Sequence, residues 1–552
     1  MQNSEWWRGA VIYQIYPLSF KDGNGDGKGD LAGIVQELDY VASLGVDAVW
    51  IAPFFRSPMH DFGYDVAAHC EVDPTFGTLE DFDRLVERAH ALGIKVMIDQ
   101  VWGHTSDAHT WFQESRAVRT GKKSDWYVWA DARPDGTPPN NWLSVFGGSA
   151  WKWDPRRRQY YLHHFLATQP TLNLSNPAVL DALEEAARFW LRRGVDGLRI
   201  DAVDFLRHDP MLRDNPAAPP RATTPAKLFG LQQHCYDMLH PEVNHVLGRL
   251  RALADAHPGI ALLGEVSSQD GAFARIARYT AAGKGLHMAY TLRPLRNDTF
   301  EHAIGEALEE VEAAGGDGWL CWAFSNHDVE RVASRWNPRR EDGLPPPRQF
   351  LRMLFALLLG LRGSVCLYQG EELGLEEAQL DISELRDPFG IAYFPEFRGR
   401  DGCRTPMPWR SDAPHAGFTT GTPWLPIPRE HFAACVADQE ADPCSLLNAW
   451  RGAIAWRKAH PALRYGSLTR LAVGLPLLGF ERSFGRDRVV LLLNTSGESV
   501  RIHLAQFGAA RPRLAAAARV DGDDALLAPY GFLLAPVEAP DAVLRDEVCG
   551  AR

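Results

Sequence analysis

The sequence predicts an α/β chain: a closed (β/α)8 TIM barrel, a small domain inserted after the third strand, and an all-β sandwich at the C-terminal end. Three observations predict it. Short apolar runs alternate with amphipathic stretches eight times, a pattern that argues for a closed barrel over an open sheet. Four runs end on an acid: Val96-Met97-Ile98-Asp99, Gly197-Leu198-Arg199-Ile200-Asp201, Leu262-Leu263-Gly264-Glu265 and Phe324-Ser325-Asn326-His327-Asp328. A strand leaving the core on a carboxylate delivers charge to one rim, where such barrels build their active sites. Beyond about Pro461 the periodicity shortens to β runs such as 488–494, separated by turn residues.

The elements follow in order. Residues 11–16 read as the first strand, followed by a helical pattern that ends at Leu44-Gly45. Residues 48–54 are the second strand and 79–92 a helix stopped by Gly93, with 94–99 as the third strand. After His104 the alternation breaks into text rich in Trp, Asn, Gly and Pro, too long for a plain connection, so 104–172 reads as the inserted domain. It interrupts a barrel formed by 1–103 and 173–465. Strands at 197–200, 261–266, 285–290, 320–326 and 364–370 complete the eight, and 466–552 form the β domain. Long connections after the fourth and eighth strands leave the rim that carries the acids, and are expected to wall the pocket.

The bulk numbers exclude several classes. At 552 residues the chain exceeds one ordinary core, and 45% hydrophobic with 23% charged residues is ordinary for a globular protein. A net charge of −12 disfavours nucleic acid and anionic membranes and suits a neutral substrate. The N-terminal residues show no secretory signal, and no stretch approaches a membrane span. Eight scattered cysteines without a CxxC pair indicate neither a disulfide framework nor zinc, with Cys321 and Cys366 reading as buried thiols and a reducing cytoplasm as the expectation.

Paired carboxylates flanking a glycosidic bond are the usual chemistry for sugars. Asp201 suits the nucleophile, because Arg199, two along the same strand, faces the same side and should hold it ionised. Glu265 suits the proton donor, its pKa raised by the field of Asp201 and Asp328. Asp328 would favour an oxocarbenium-like transition state, and His104 and His327 could donate hydrogen bonds to ring hydroxyls. The same acids and histidines would also fit a barrel that binds divalent metal for isomerase or enolase chemistry. A separate run, residues 22–30, spaces Asp22, Asn24, Asp26, the Lys28 carbonyl and Asp30 like the first nine positions of an EF-hand loop, with Gly33 where the closing Glu would stand. A structural Ca²⁺ or Mg²⁺ is expected there.

With these residues in view, the chain resembles glycoside hydrolase family 13, the α-amylase superfamily, most closely its bacterial α-glucosidase and oligo-1,6-glucosidase branch. The resemblance rests on Asp99-Gln-Val-Trp-Gly-His104, Gly197-Leu-Arg-Ile-Asp201, Gly-Glu265-Val and Phe324-Ser-Asn-His-Asp328. Branch-like text adds Asp61-Phe-Gly-Tyr64-Asp65, Asn140-Asn-Trp-Leu-Ser-Val-Phe146, Gln169-Pro-Thr-Leu-Asn173 and Arg400-Asp-Gly-Cys-Arg404-Thr-Pro-Met-Pro-Trp409.

The resemblance implies a retaining, exo-acting α-glucosidase of short α-glucosides that works through a glucosyl-aspartate on Asp201, without an organic cofactor, as a monomer or homodimer. It further implies that Asp61 and Arg404 clamp the non-reducing glucose, and that Tyr64, Phe146 and Phe165 wall it. Transglucosylation or sucrose isomerisation on the same fold is the alternative. A non-catalytic homologue would have lost the acids, and all three are present. Ala202, where this branch often has Val or Thr, leaves linkage preference open, as do Thr171 and Gly103 in place of the usual Asp and Asn.

Overall fold

Eight runs, buried throughout but for Lys95 at the start of one, cannot stand at a sheet surface, and they pair with one another in parallel. The computed structural model describes residues 5–220, 223–267, 271–293, 300–508, 512 and 514–537, apart from the side chains of 301–302. The eight strands are β1 (Val11–Ile15), β2 (Ala48–Ile51), β3 (Lys95–Gln100), β4 (Gly197–Ile200), β5 (Ala261–Val266), β6 (Met288–Thr291), β7 (Cys321–Ala323) and β8 (Ser364–Tyr368). Their order is β6-β5-β4-β3-β2-β1-β8-β7, and a parallel bridge between Ala289 and Leu320 joins the two ends. The predicted barrel is therefore present, each strand within a few residues of its expected place.

The register decides what the barrel encloses. Side chains alternate along a strand, so Met97 and Asp99 share the inward face of β3, as do Gly197 and Arg199 on β4 and Leu263 and Glu265 on β5. Met97 pairs with Gly197, where a Cβ would stand 2.7 Å from the Met97 methyl, so a larger residue there would have to displace the end of that side chain. Apolar inward residues, including Ile12, Trp50, Met97, Leu263, Met288, Cys321 and Cys366, fill the barrel. The polar ones continue the same stripes at the C-terminal end.

Helix starts obey the sequence. Residues Leu79–Ala91 begin with a full capping box between Thr78 and Asp81, and Pro177–Leu191 begins with Asn176 accepting from Ala178 N. The inserted segment carries a three-stranded antiparallel sheet (Trp129–Ala130, Trp151–Asp154, Gln159–Leu162) over a small core of Val128, Trp142, Ala150, Trp151 and Leu162. Trp142 Nε1 donates to Arg213 O (2.8 Å) and Asn141 Nδ2 to Asn215 O (2.9 Å), which fastens it to the connection after β4. Among the described residues no helix is long and apolar enough to cross a membrane, and the seven described cysteines are free thiols.

By compactness the chain divides into 1–345 with 364–448, and 346–363 with 449–552. The second unit holds an antiparallel sheet of β9 (Ser467–Arg470), β10 (Leu477–Phe484), β11 (Asp487–Asn494), β12 (Val500–His503), β13 (Leu514–Asp521) and β14 (Asp524–Pro536), ordered β9-β10-β11-β14-β12 with β13 also on β14. The helix Arg348–Gly360, between β7 and β8 in the chain, groups with this unit. Its terminal carbonyls lack intrahelical donors. Two buried arginines supply them: Arg457 donates to Leu359 O and, at 2.6 Å, to Gly363 O. Arg482 donates to Gly360 O (2.7 Å), Leu361 O (2.9 Å), Gly466 O (3.0 Å) and Ser467 O (3.0 Å). Cations at this end also complement the helix dipole. Arg482→Met should lower unfolding free energy by about 3 kcal/mol or more, since several buried acceptors lose their donor together. Chemical denaturation of the purified variant checks this, and a loss under about 1 kcal/mol would contradict it.

Candidate active site

Arg199 organises the C-terminal end of the barrel. Its buried guanidinium donates to Asp99 Oδ1 (2.6 Å), Asp201 Oδ1 (2.7 Å), Tyr290 Oη (2.8 Å) and Glu265 Oε2. Trp50 lies under it, 4.8 Å from the ring centroid. Asp99, Asp201, Glu265 and Tyr290 come from four adjacent strands, β3 to β6, so sheet order alone brings them together. Just after β4 the chain turns through Ala202 in the left-handed region (φ 44°), a strained seat for a residue with a Cβ.

Asp328 approaches from beyond β7. Arg404 Nη2 donates to it at 2.9 Å and Arg400 Nη1 at 3.3 Å, with His327 Nε2 at 3.2 Å. The Gln14 amide nitrogen faces His327 Nδ1 at 2.7 Å, which makes Nδ1 the acceptor and leaves the proton on Nε2. Burial depresses the His327 pKa to about 3 and that of His104 likewise to about 3, so both rings are neutral near pH 7.

A cavity of about 120 Å³ opens over these groups, and Asp61, Tyr64, His104, Phe146, Phe165, Asp201, Glu265, Asp328, Phe389 and Arg400 face it. Eight of the eleven catalytic and substrate residues named from the sequence thus share one space. The other three, Arg199, His327 and Arg404, stand behind its wall. His327 stacks on the back of the Tyr64 ring (5.3 Å, 2°) and meets its hydroxyl at 2.7 Å, so it orients Tyr64 and does not face the cavity. His104 Nε2 is directed to Tyr64 O (3.1 Å) and Gln169 Nε2 (3.2 Å).

Two expectations change. The arginine paired with Asp61 is Arg400, not Arg404: its Nη2 reaches Asp61 Oδ1 at 2.8 Å, and Asp387 Oδ1 at 2.8 Å holds it from the other side. Arg404 is spent on Asp328 and on His327 O (2.7 Å). Both arginines stand in one short motif, and spacing gave no means to choose. Nor does Arg199 keep Asp201 in the ordinary carboxylate range. Burial outweighs it and raises Asp201 to about 7, and burial with Asp201 and Asp328 nearby likewise raises Glu265 to about 7. Asp328 goes the other way: burial opposes ionisation, but with His327 neutral near pH 7 the two guanidiniums hold it below the usual carboxylate range.

Sequence reasoning assigned no role to Tyr290, Gln169 or Phe389. Tyr290 had a readable signal, the period-two step from Met288 on β6. Gln169 Nε2, which donates to Asp61 Oδ2 (3.0 Å), comes from a loop, and Phe389, 4.6 Å from Phe146, from the short helix Pro388–Tyr393 in the connection after β8, and neither stretch carries such a period.

The 22–30 loop lies apart from this cavity. Asp22 accepts from Asn24 N (3.0 Å), Gly25 N (2.6 Å), Gly27 N (2.8 Å) and the Thr419 hydroxyl (2.5 Å), and Asn24 and Asp26 accept from the amides two residues on. Asp30 caps the helix Leu31–Gln36 through Gly33 N (2.6 Å). The donors are hard oxygens that suit Ca²⁺ or Mg²⁺. Their side chains are folded onto the loop's own amides, however, and among the described residues no three His, Cys, Asp or Glu are gathered to hold an ion.

A pH dependence follows from the raised carboxylates. A folded-state pKa above the unfolded value favours folding fully below about pH 4, and that contribution is lost as pH rises through about 7. Asp201→Asn removes one such group, so the variant should gain stability relative to the parent as pH rises from about 4 to about 8. Melting temperatures of both proteins across that range check it, and a flat or falling difference would contradict it.

The α-amylase catalytic-domain model matches residues 14–466. The probable α-glucosidase of Rhizobium meliloti (strain 1021) is 53% identical over 501 residues, covering 90% of each chain. The crystal structure of the α-glucosyl transfer enzyme XgtA superposes with a TM-score of 0.90 at 51% identity, over 97% of this chain and 99% of that one. Trehalulose synthase MutB from Pseudomonas mesoacidophila MX-45 gives a TM-score of 0.85 at 32% identity, over 97% and 99%.

Proposed function

The chain belongs to the α-amylase family, glycoside hydrolase family 13, and from that premise we propose that it is a retaining, exo-acting α-glucosidase that also transfers glucose. One observation carries the reading. Asp201 and Glu265 hang on one guanidinium, in a cavity whose wall carries the Asp61–Arg400 ion pair. Sharing one planar cation favours the short spacing of retaining pairs, about 5–5.5 Å, over the roughly 6.5–9.5 Å that an inverting enzyme needs for water.

In the proposed cycle the Asp201 carboxylate attacks C1 while Glu265 passes its proton to the departing oxygen. Asp201 must then be ionised and Glu265 protonated, and with both near neutrality the pair carries one proton between them around pH 7. Ionised Asp328 faces the positive charge that develops on the ring. Glu265, now a carboxylate, takes the proton of water or of an acceptor alcohol as C1 leaves Asp201. Asp61 and Arg400 would hold the hydroxyls of the non-reducing end, which confines cleavage to terminal glucose. Tyr64, Phe146 and Phe165 offer faces for the ring.

Incubation with maltose, isomaltose, sucrose and a maltoheptaose, with products followed by NMR, tests this. Glucose should appear first as the α anomer and one unit at a time. Initial β-glucose or internal fragments would refute it, and trehalulose or isomaltulose from sucrose would move the reading to an isomerase. Asp201→Asn should lower turnover by about 10⁴-fold, roughly 5.5 kcal/mol.

We also propose, on the donor set of Asp22, Asn24, Asp26, the Lys28 carbonyl and Asp30, that the early loop takes Ca²⁺ or Mg²⁺ as a structural ion. Calcium added to chelator-treated protein should raise the melting temperature by about 4 °C, roughly 2 kcal/mol for a domain of this size, and Asp22→Ala should abolish the rise. No shift would leave the loop a self-capped turn.

A further inference from the structure

Arg400 touches three carboxylates, and one of them fixes its direction. Asp387, wholly buried, takes the Nε–Nη2 edge of the guanidinium with both oxygens: Nε donates to Oδ2 (3.0 Å) and Nη2 to Oδ1 (2.8 Å). This two-point pairing sets the rotation of a planar cation as well as its place. The donors left over then have assigned partners, Nη2 on Asp61 Oδ1 (2.8 Å) and Nη1 on Asp328 Oδ1 (3.3 Å). The Phe146 ring faces the same guanidinium, its centroid 5.3 Å from Cζ.

The carboxylate is itself anchored. Asp387 also accepts from Arg400 N (2.8 Å) and Phe389 N (3.1 Å), and Asp401 Oδ2 reciprocates by accepting from Arg386 N (2.6 Å) and Asp387 N (2.7 Å). Two turns, 386–390 and 398–401, thus tie each other. Their backbones approach where a side chain has no room: a Cβ on Gly390 would stand 2.5 Å from Arg398 O, and one on Gly399 (φ 79°) 2.6 Å from the Gly390 Cα. Burial opposes the charge on Asp387, but the Arg400 guanidinium holds its pKa down to about 2, so it is ionised near pH 7. All four groups that meet it are N–H donors, two on each oxygen. An asparagine would turn its amide nitrogen onto two of them, whichever way it faced.

We propose that Asp387 is the positioning residue for recognition of the terminal glucose: it sets the rotation of Arg400, so that the Asp61–Arg400 pair presents fixed partners to the non-reducing hydroxyls. The inference rests on the reading of Asp61 and Arg400 given above. Without the two-point pairing the guanidinium keeps its attraction to Asp61 and Asp328 and loses its fixed rotation. A partner that swings forfeits much of what a hydroxyl gains from it. The loss therefore falls on sugars that carry the hydroxyl and spares those that lack it.

Fluoride release from α-glucosyl fluoride and from its 4-deoxy analogue tests this, because only the first carries a C4 hydroxyl. The parent should favour the intact donor in kcat/KM, and Asp387→Asn should lower that preference by about 10-fold. Arg400→Lys keeps the charge and loses the planar edge, so it should show the same fall, and the double variant should add nothing further. Losses in Asp387→Asn that are equal on the two donors, or a preference left unchanged, overturn the positioning role, since a merely weakened fold lowers both rates together. If Asp387→Asn does not fold, Arg400→Lys decides: a preference like the parent's overturns the assignment. No fluoride release from the parent overturns the α-glucosidase reading, and a parent indifferent to the C4 hydroxyl overturns the role of Asp61 and Arg400; this inference falls with either.

Discussion

One buried guanidinium sets the terms for the rest of the site. Arg199 lies where β4 meets its neighbours and is touched by Asp99, Asp201 and Glu265, three acids on three strands around one cation. Removing charges from water is costly, and a single cation cannot satisfy three carboxylates. The imbalance expresses itself as protons retained near neutrality, which is where a reaction that needs one acid and one base must operate. The surrounding arginines correct the balance selectively. Arg400 and Arg404 favour the ionised form of Asp328, while Asp387 holds Arg400 from behind. The same fold thus keeps one carboxylate charged and leaves two others ambivalent.

Division of labour follows from the architecture. The reacting acids stand on strands or at their ends, where the barrel fixes position to within the pleat. The groups that would choose the substrate come from connections: Phe146 and Phe165 from the inserted segment, Phe389 and Arg400 after β8. Loops of this kind can be rewritten without moving the acids. That is why relatives with glucosidase, transfer and trehalulose synthase names can share this framework.

How much of this was legible in the sequence depended on periodicity. The eight strands, the inserted domain and the acids were readable because burial on both faces writes continuous apolar text and a period of two marks what points inward. Arg199 was readable for the same reason. Arg400 was not distinguishable from Arg404, because both lie in irregular backbone where direction is set by partners far away, Asp387 and Asp61 for one and His327 for the other. For Asp201 the sequence displayed the neighbouring Arg199, which does favour the ionised form, and hid the depth of burial, which is the larger effect.

The amide of Gln14 has a practical corollary. It occupies His327 Nδ1 at 2.7 Å, while burial keeps the ring that borders Asp328 uncharged near pH 7. His104, across the cavity, is equally mute. A rate-versus-acidity curve for this enzyme would consequently be a record of carboxyl groups, free of the imidazole inflection that complicates such curves elsewhere.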